Sequence, residues 1–343
     1  MVVAGSFGKT TVTSMIMHVL RGAGYSFDYL VGAGIPGFDN PVRLSDDAPM
    51  IVMEGDEYLA SRSDPRPKFL LYHAHMVIIT GIEWDHINVF PTFASYLNQF
   101  ELLVKGLDKA ADIVYNEEDE QVVSLVKAHT DDRSQYLHPF QTPSYRVRDG
   151  VFEVKLEGER AALQVIGKHN MANIAASWEA CKWLGMEIGE FITHIRTFTG
   201  AKLRQEKVYE DAALTIIRDY AHAPAKVLAT VDAVRERYKK KKITACLELH
   251  SFSSLNKAYL PYYKGAMKKA DRRIVYVNPQ AVEHRRMEQI SQEEMLKAFG
   301  DPNMIYVTSR EALKKALKEG KSDVLLMMSS GNFDGLPMSE LAG

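Results

Sequence analysis

The stretch Gly5-Ser6-Phe7-Gly8-Lys9-Thr10-Thr11 limits what this chain can fold into more than any other. Ahead of it, Met1 to Ala4 is short and apolar and reads as a buried strand. Behind it, Val12, Met15, Ile16, Val19 and Leu20 recur at helical spacing until Gly22 and Gly24 end the pattern. Strand, glycine loop and helix in that order form the context of a phosphate-binding loop and commit the chain to an α/β fold. The glycines let backbone N–H groups turn toward an anion, and the helix N-terminus adds partial positive charge. Lys9 can then reach terminal phosphates, and Thr10 can offer a hydroxyl to Mg²⁺. Val3 stands where the longest form of the motif has glycine, so this is a shorter variant. Because the strand opens the chain, the sequence reads as one that has lost a front segment.

Two more apolar runs, Met50 to Met53 and Met76 to Ile79, read as buried strands that pass abruptly into acidic residues. The first leads into Glu54-Gly55-Asp56-Glu57-Tyr58, and the second leads to Glu83-Trp84-Asp85-His86. The carboxyl ends of an open parallel sheet line the ligand crevice, which places Glu54 and His86 near a phosphate held by Lys9. Either cluster alone reads more readily as a solvated loop. Together, after a phosphate loop, they read as ligands of a hard cation, with Thr10, Glu54 and His86 as the metal set. His73 and His75 precede a strand without a carboxylate partner and read as structural. Gly32-Ala33-Gly34-Ile35-Pro36-Gly37 fits a dinucleotide pattern in letters only, since Pro36 and Pro41 leave no helix to cap a pyrophosphate.

The bulk numbers exclude other classes. Hydrophobic residues make up 46% and charged residues 25% of the 343 positions, as in an ordinary globular protein. A net charge of -2 supplies no general attraction to nucleic acid or anionic membrane. The basic run Arg235, Arg237 and Lys239 to Lys242 ends an expected helix, where cations suit the dipole. Cys181 and Cys246 are too isolated for a disulfide framework or a zinc site. No stretch approaches the ~18 apolar residues of a membrane span, so the expectation is a cytoplasmic protein with neither membrane nor nucleic acid as partner.

Helices are expected over Thr92 to Val104, Glu117 to His129 and His169 to Leu184, with short antiparallel strands between Ser144 and Val165. His169-Asn170 also reads as a helix cap. Past Gly200 a second alternation begins. Strands over 214–217, 243–247, 274–277, 304–307 and 324–328 alternate with helices over 225–238, 260–270, 292–299 and 310–317. The spacing predicts two α/β domains, 1–199 and 200–343, with the boundary in the window 198–204.

In order along the chain, the phosphate loop, Glu54-Gly55-Asp56-Glu57, Ile82-Glu83-Trp84-Asp85-His86 and His169-Asn170-Met171-Ala172-Asn173 resemble the motif set of the Mur ligase central domain. Phe198-Thr199-Gly200-Ala201-Lys202-Leu203-Arg204-Gln205-Glu206 and Asp219-Tyr220-Ala221-His222-Ala223-Pro224 are similar to that family's domain junction and C-terminal nucleotide-contacting loop. The resemblance implies a central P-loop ATP-binding α/β domain followed by a smaller, Rossmann-like C-terminal α/β domain. The family's N-terminal domain, which holds uridine diphosphate, has no counterpart here.

The resemblance also implies roles. Gly5, Ser6, Gly8, Lys9, Thr10 and Thr11 would bind ATP phosphates, His169 and Asn173 the adenine, Asp219 the ribose, and Arg204 the γ-phosphate, with Asn170 also among the nucleotide-binding residues. Lys9, Glu54, His86 and Arg204 would carry catalysis, with Mg²⁺ as cofactor. The implied reaction joins the lactyl carboxylate of UDP-N-acetylmuramate to L-alanine, or to the L-Ala-γ-D-Glu-diaminopimelate tripeptide, through an acyl phosphate. Ser329-Ser330-Gly331-Asn332-Phe333-Asp334-Gly335 is similar to the tripeptide-using branch, while the other motifs fit both. Leu203, Gly81 and Phe7 depart from residues usual in the family, namely arginine, asparagine, and histidine or asparagine. A phosphotransferase or simple NTPase, or an ATP-binding remnant, remains the alternative reading of the same loop.

Overall fold

The computed structural model describes residues 1–130 and 136–341. The chain divides into two compact units, Met1–Lys202 and Leu203–Gly343, so the division falls inside the 198–204 window, slightly beyond residue 200.

In the first unit the chain runs β1 (Val2–Ala4), α1 (Lys9–Gly22), β2 (Asp28–Leu30), β3 (Val42–Arg43), β4 (Ile51–Glu54), β5 (Met76–Ile79) and α2 (Phe93–Lys105). It continues through β6 (Asp112–Asn116), α3 (Glu120–His129), β7 (Leu137–Phe140), β8 (Tyr145–Arg148), β9 (Val151–Leu156), β10 (Glu159–Leu163), α4 (Lys168–Trp183) and α5 (Ile188–Ile195). Among the described residues one sheet has the order β3-β2-β4-β1-β5-β6-β7, parallel except for the antiparallel edge strand β3. β1 and β5 are apolar and buried at every position because helices cover both faces of such a sheet. Phe69, Tyr96, Phe100, Leu103 and Val122 fill the α2 and α3 side of the core, each worth about 1.5–3 kcal/mol when fully removed from water. α1 packs on α4 and α5, and Thr10 through Met17 are all buried, so the helix behind the phosphate loop lies inside the unit.

Several elements escaped the sequence reading. β2 and β3 are very short, and β6 pairs with its neighbours despite polar ends. β7 contains Pro139, which argues against a strand except at a sheet edge, and β7 is at the edge. α4 begins at Lys168 with Gly167 as its cap at φ 92°, so the cap reading of His169-Asn170 is corrected. Asn170 instead sits inside the first turn and donates to the Ile166 carbonyl at 2.8 Å. β8, β9 and β10 form the expected antiparallel sheet, with Val165 lying past its end.

The second unit contains β11 (Glu206–Glu210), β12 (Thr215–Asp219), α6 (Pro224–Arg237), β13 (Ile243–Glu248), β14 (Arg272–Tyr276), α7 (Pro279–His284), α8 (Gln292–Phe299), β15 (Ile305–Val307), α9 (Arg310–Glu319) and β16 (Val324–Met328). Among the described residues its sheet order is β11-β12-β16-β13-β14-β15, with only β11 antiparallel to its neighbour. The expected helix over 260–270 is instead a 3-10 turn, Leu260–Tyr263, followed by turns. A left-handed Gly265 at φ 76° interrupts the helical pattern, while Tyr263 stacks on Phe299 with ring centres 5.2 Å apart. Among the described residues no helix is long and apolar enough to cross a membrane.

Candidate functional site

Parallel register brings three loops of the first unit together. Val3 lies opposite Glu54, and Ala4 opposite Ile79, so the phosphate loop, the turn after β4 and the segment after β5 leave the sheet side by side. The phosphate loop is then pinned to the exit of β5. The Ser6 N–H donates to the Gly81 carbonyl at 2.9 Å, and the Thr80 hydroxyl donates to the carbonyls of Ala4 and Phe7. Glycine is required at position 5, where φ is 135° and a Cβ would collide with the Thr80 hydroxyl and lie 3.0 Å from the Gly81 carbonyl. Gly8 caps α1 at φ 77°, and a Cβ there would sit 2.7 Å from Asn173 Oδ1. No side chain caps α1 and its first turn holds no acidic residue, which leaves the dipole to act on the loop.

Lys9 Nζ donates to the Gly5 carbonyl at 2.6 Å and to Glu57 Oε2 at 2.9 Å. Burial alone would lower the lysine pKa, but the Glu57 carboxylate outweighs it and raises the value. Glu57 is 2% exposed at its side chain. Burial would raise its pKa, yet Lys9 and then His86 bring it down to about 2. The Tyr96 hydroxyl also donates to Glu57 Oε1 at 3.3 Å, and to Ser6 Oγ at 2.9 Å. Glu57 thus belongs to the site, although the sequence reading assigned it no role. A signal was available: a buried loop lysine needs a counter-charge, and Glu57 follows the strand beside it.

Beside this pair, the Thr10 hydroxyl donates to Glu54 Oε1 at 2.8 Å, and the Gly32 N–H donates to Glu54 Oε2 at 2.7 Å. At Gly32, read only as part of a loop, a Cβ would come 3.0 Å from Glu54 Oε2, a close approach of the backbone to this carboxylate. His86 adopts a left-handed φ of 57°. Its Nδ1 lies 2.8 Å from the Tyr58 hydroxyl and its Nε2 3.4 Å from Glu57 Oε1. Of the three expected metal ligands, Thr10 and Glu54 therefore converge, while His86 is tied to Tyr58 and Glu57. Among the described residues there is no ready-made group of three His, Cys, Asp or Glu ligands. The oxygen donors Thr10 and Glu54 nevertheless fit Mg²⁺, which uses one or two protein oxygens and takes the rest from phosphate and water.

The remaining expected nucleotide residues of this unit differ in placement. Ser6 Oγ accepts from the Glu83 N–H at 2.8 Å as well as from Tyr96, so this hydroxyl fixes the loop. Thr11 is buried in the first turn of α1. Asn173 donates to Asn170 Oδ1 at 3.1 Å and abuts Gly8, which couples α4 to the phosphate loop. Burial lowers the pKa of His169 to about 4, so its ring is neutral at ordinary pH.

In the second unit, Asp219 ends β12. Its Oδ2 accepts from the Gln205 N–H and its Oδ1 from the Ala221 N–H, each at 2.7 Å. Burial raises its pKa, and Arg204 opposes that shift. Arg204 stacks its guanidinium over the Tyr220 ring at 4.6 Å. Leu203 and Gln205 adopt left-handed φ values of 56° and 52° in this turn. A further cluster forms where β13 and β16 end together. Buried Glu248 accepts from the Ser329 hydroxyl and, at 2.8 Å, from the Phe333 N–H, while Arg285 donates to His250 Nε2 at 3.1 Å. The 329–335 motif thus folds over Glu248, and a Cβ on Gly331 would lie 2.8 Å from His250 Cγ.

Both units resemble domains of known proteins. The Mur ligase middle domain matches residues 3–181, and the Mur ligase glutamate ligase domain matches residues 203–331. UDP-N-acetylmuramate–L-alanine ligase of Streptococcus pyogenes serotype M5 (strain Manfredo) is 31% identical, over 89% of this chain and 70% of the relative. The crystal structure of UDP-N-acetylmuramate–alanine ligase from Thermotoga maritima superposes with a TM-score of 0.73 at 19% identity, covering 100% of this chain and 73% of that one. A murein peptide ligase from Psychrobacter arcticus 273-4 superposes with a TM-score of 0.68 at 19% identity, covering 99% and 76%. With one domain match spanning over half the chain and the second following it in order, the chain belongs to the Mur ligase family of ATP-dependent, ADP-forming ligases.

Proposed function

We propose that this chain performs the ATP-using, amide-forming chemistry of peptidoglycan synthesis or recycling, with UDP-N-acetylmuramate as the acid and L-alanine or the L-Ala-γ-D-Glu-diaminopimelate tripeptide as the amine. In this reading the first unit holds ATP, and the setting is the cytoplasm. The observation that carries it is the convergence of the Lys9–Glu57 pair and the Thr10–Glu54 pair on the phosphate loop.

The chemistry follows from the poor leaving group of a carboxylate. One carboxylate oxygen attacks the γ-phosphorus of ATP, the bond to the bridging oxygen breaks, and ADP leaves. The amine nitrogen then attacks the acyl carbon, phosphate departs with its bonding pair, and the nitrogen loses a proton to give the amide. Lys9 places positive charge beside the transferring group, and the loop N–H groups orient it. Glu57 keeps Lys9 charged and aimed, and His169 with Asn173 borders the adenine. Thr10 and Glu54 would hold Mg²⁺, and the ion would supply charge neutralisation when bound.

Phosphate release from ATP, measured with UDP-N-acetylmuramate and either L-alanine or the tripeptide, tests this reading. Stimulation by one amine identifies the acceptor. Release indifferent to both amines would instead support a simple nucleoside triphosphatase.

A further inference from the structure

Two residues that set this chain apart by sequence, Phe7 in the phosphate loop and Gly81 after β5, meet in the structure. An ideal Cβ at Gly81 would run into the Phe7 ring, with Cε2 at 2.7 Å, Cε1 at 2.8 Å and Cζ closer still. Real carbon atoms keep about 3.5–4 Å apart, so the ring occupies the space that a side chain at 81 would need. The backbone of the same residue is held as well, because its carbonyl accepts from the Thr80 hydroxyl. Ser6 adds the bond from its N–H to the Gly81 carbonyl. Residues 6 and 7 are therefore registered on residues 80 and 81 through one backbone hydrogen bond, one bond from the Thr80 hydroxyl to a backbone carbonyl, and one ring. The flanking residues cannot supply this rigidity, since Gly5 and Gly8 both have positive φ and glycine is the most permissive residue of the backbone.

We propose that Phe7 and Gly81 form one coupled pair, in which the Phe7 ring packs on the bare Gly81 backbone and holds the phosphate loop in its nucleotide-binding shape. Phe7 is then a positioning residue rather than a contact to the reacting atoms. The two departures from the family pattern are a single exchange of volume: the ring fills the place of a side chain at 81, and glycine at 81 makes room for the ring. This inference rests on the nucleotide-binding reading of the loop.

The test is a double-mutant cycle on the whole chain. Binding of a non-hydrolysable ATP analogue with Mg²⁺ is measured by calorimetry, and the melting temperature of each variant is recorded without nucleotide. Gly81→Asn should weaken nucleotide binding about tenfold, and Phe7→His combined with Gly81→Asn should recover most of that loss. Phe7→Tyr, which keeps the ring, should bind within about threefold of the parent. A Gly81→Asn variant that binds like the parent, or a double variant no better than Gly81→Asn alone, would overturn the proposal. If Gly81→Asn does not fold, Phe7→Ala gives the second reading, because it only removes atoms. It should lose about fivefold in affinity with little change in melting temperature, and parent-like affinity would sink the idea. Should the parent bind no nucleotide, the functional reading falls, while the melting temperatures still decide the coupling. Non-additive shifts in the Phe7→His and Gly81→Asn cycle support it and additive shifts refute it.

Discussion

Lys9 and Glu57 carry opposite charges where little water reaches them, with side-chain exposures of 16% and 2%. Removing one partner of such a pair leaves an uncompensated charge and costs about 3–5 kcal/mol. Glu57→Gln should therefore lower stability toward chemical denaturation by about 3 kcal/mol and also slow ATP turnover, since Lys9 loses its anchor. A variant as stable as the parent would show that the pair contributes little. Lys9→Ala should abolish turnover while the chain stays folded by circular dichroism. His169 gives a pH prediction whose sign follows from burial. Its pKa falls from 6.5 to about 4, so protons bind preferentially to the unfolded chain. The stability that neutral His169 contributes is complete above pH 6.5 and is lost as pH falls from 6.5 toward 4. His169→Gln should flatten the fall in stability across that window by about 1–3 kcal/mol relative to the parent, a difference measurable by denaturation at several pH values.

At the scale of elements, the ends of strands decide the site. β1, β4 and β5 are short and ordinary, yet their shared register delivers Gly5, Glu54 and Thr80 to one edge. The same holds in the second unit, where β13 and β16 end together and Gly331 lets the 329–335 loop close over Glu248. A methyl group at that position would meet His250 and lie 2.9 Å from Glu248 Oε2, so Gly331→Ala should lower stability by about 1–3 kcal/mol. Thermal melting of that variant checks it, and an unchanged midpoint would mean that the loop gives way freely. Elements were legible where the apolar pattern ran uninterrupted from end to end, as in α1, α8 and β16. They were lost where a residue with two meanings intervened: Pro139 is compatible with β7 only at the sheet edge, and apolar spacing over 260–270 runs on past the left-handed Gly265 that breaks the helix.

The whole molecule consists of two units that each hold a core of their own, one around Tyr96 and Phe100 and the other around Ile274, Tyr276 and Phe333. A unit with its own core and sheet has what it needs to fold alone. Residues 1–202 expressed separately should unfold cooperatively and retain binding of an ATP analogue, but should form no amide. Loss of cooperative unfolding in that fragment would show that the first unit depends on the second.

Local order along the chain was enough to place a phosphate loop between strand and helix, to mark the acidic strand ends and to assign both halves to the α/β class, because these features depend on periodicity and on residues a few positions apart. What only the tertiary structure decided were the pairings across distant segments. Glu57 became the counter-charge of Lys9, Gly32 the donor to Glu54, Tyr58 the neighbour of His86, and Phe7 the partner of Gly81. The physical reason is common to all of them: the sheet register and the loop exits bring together atoms tens of residues apart, and no local pattern encodes which of them will touch.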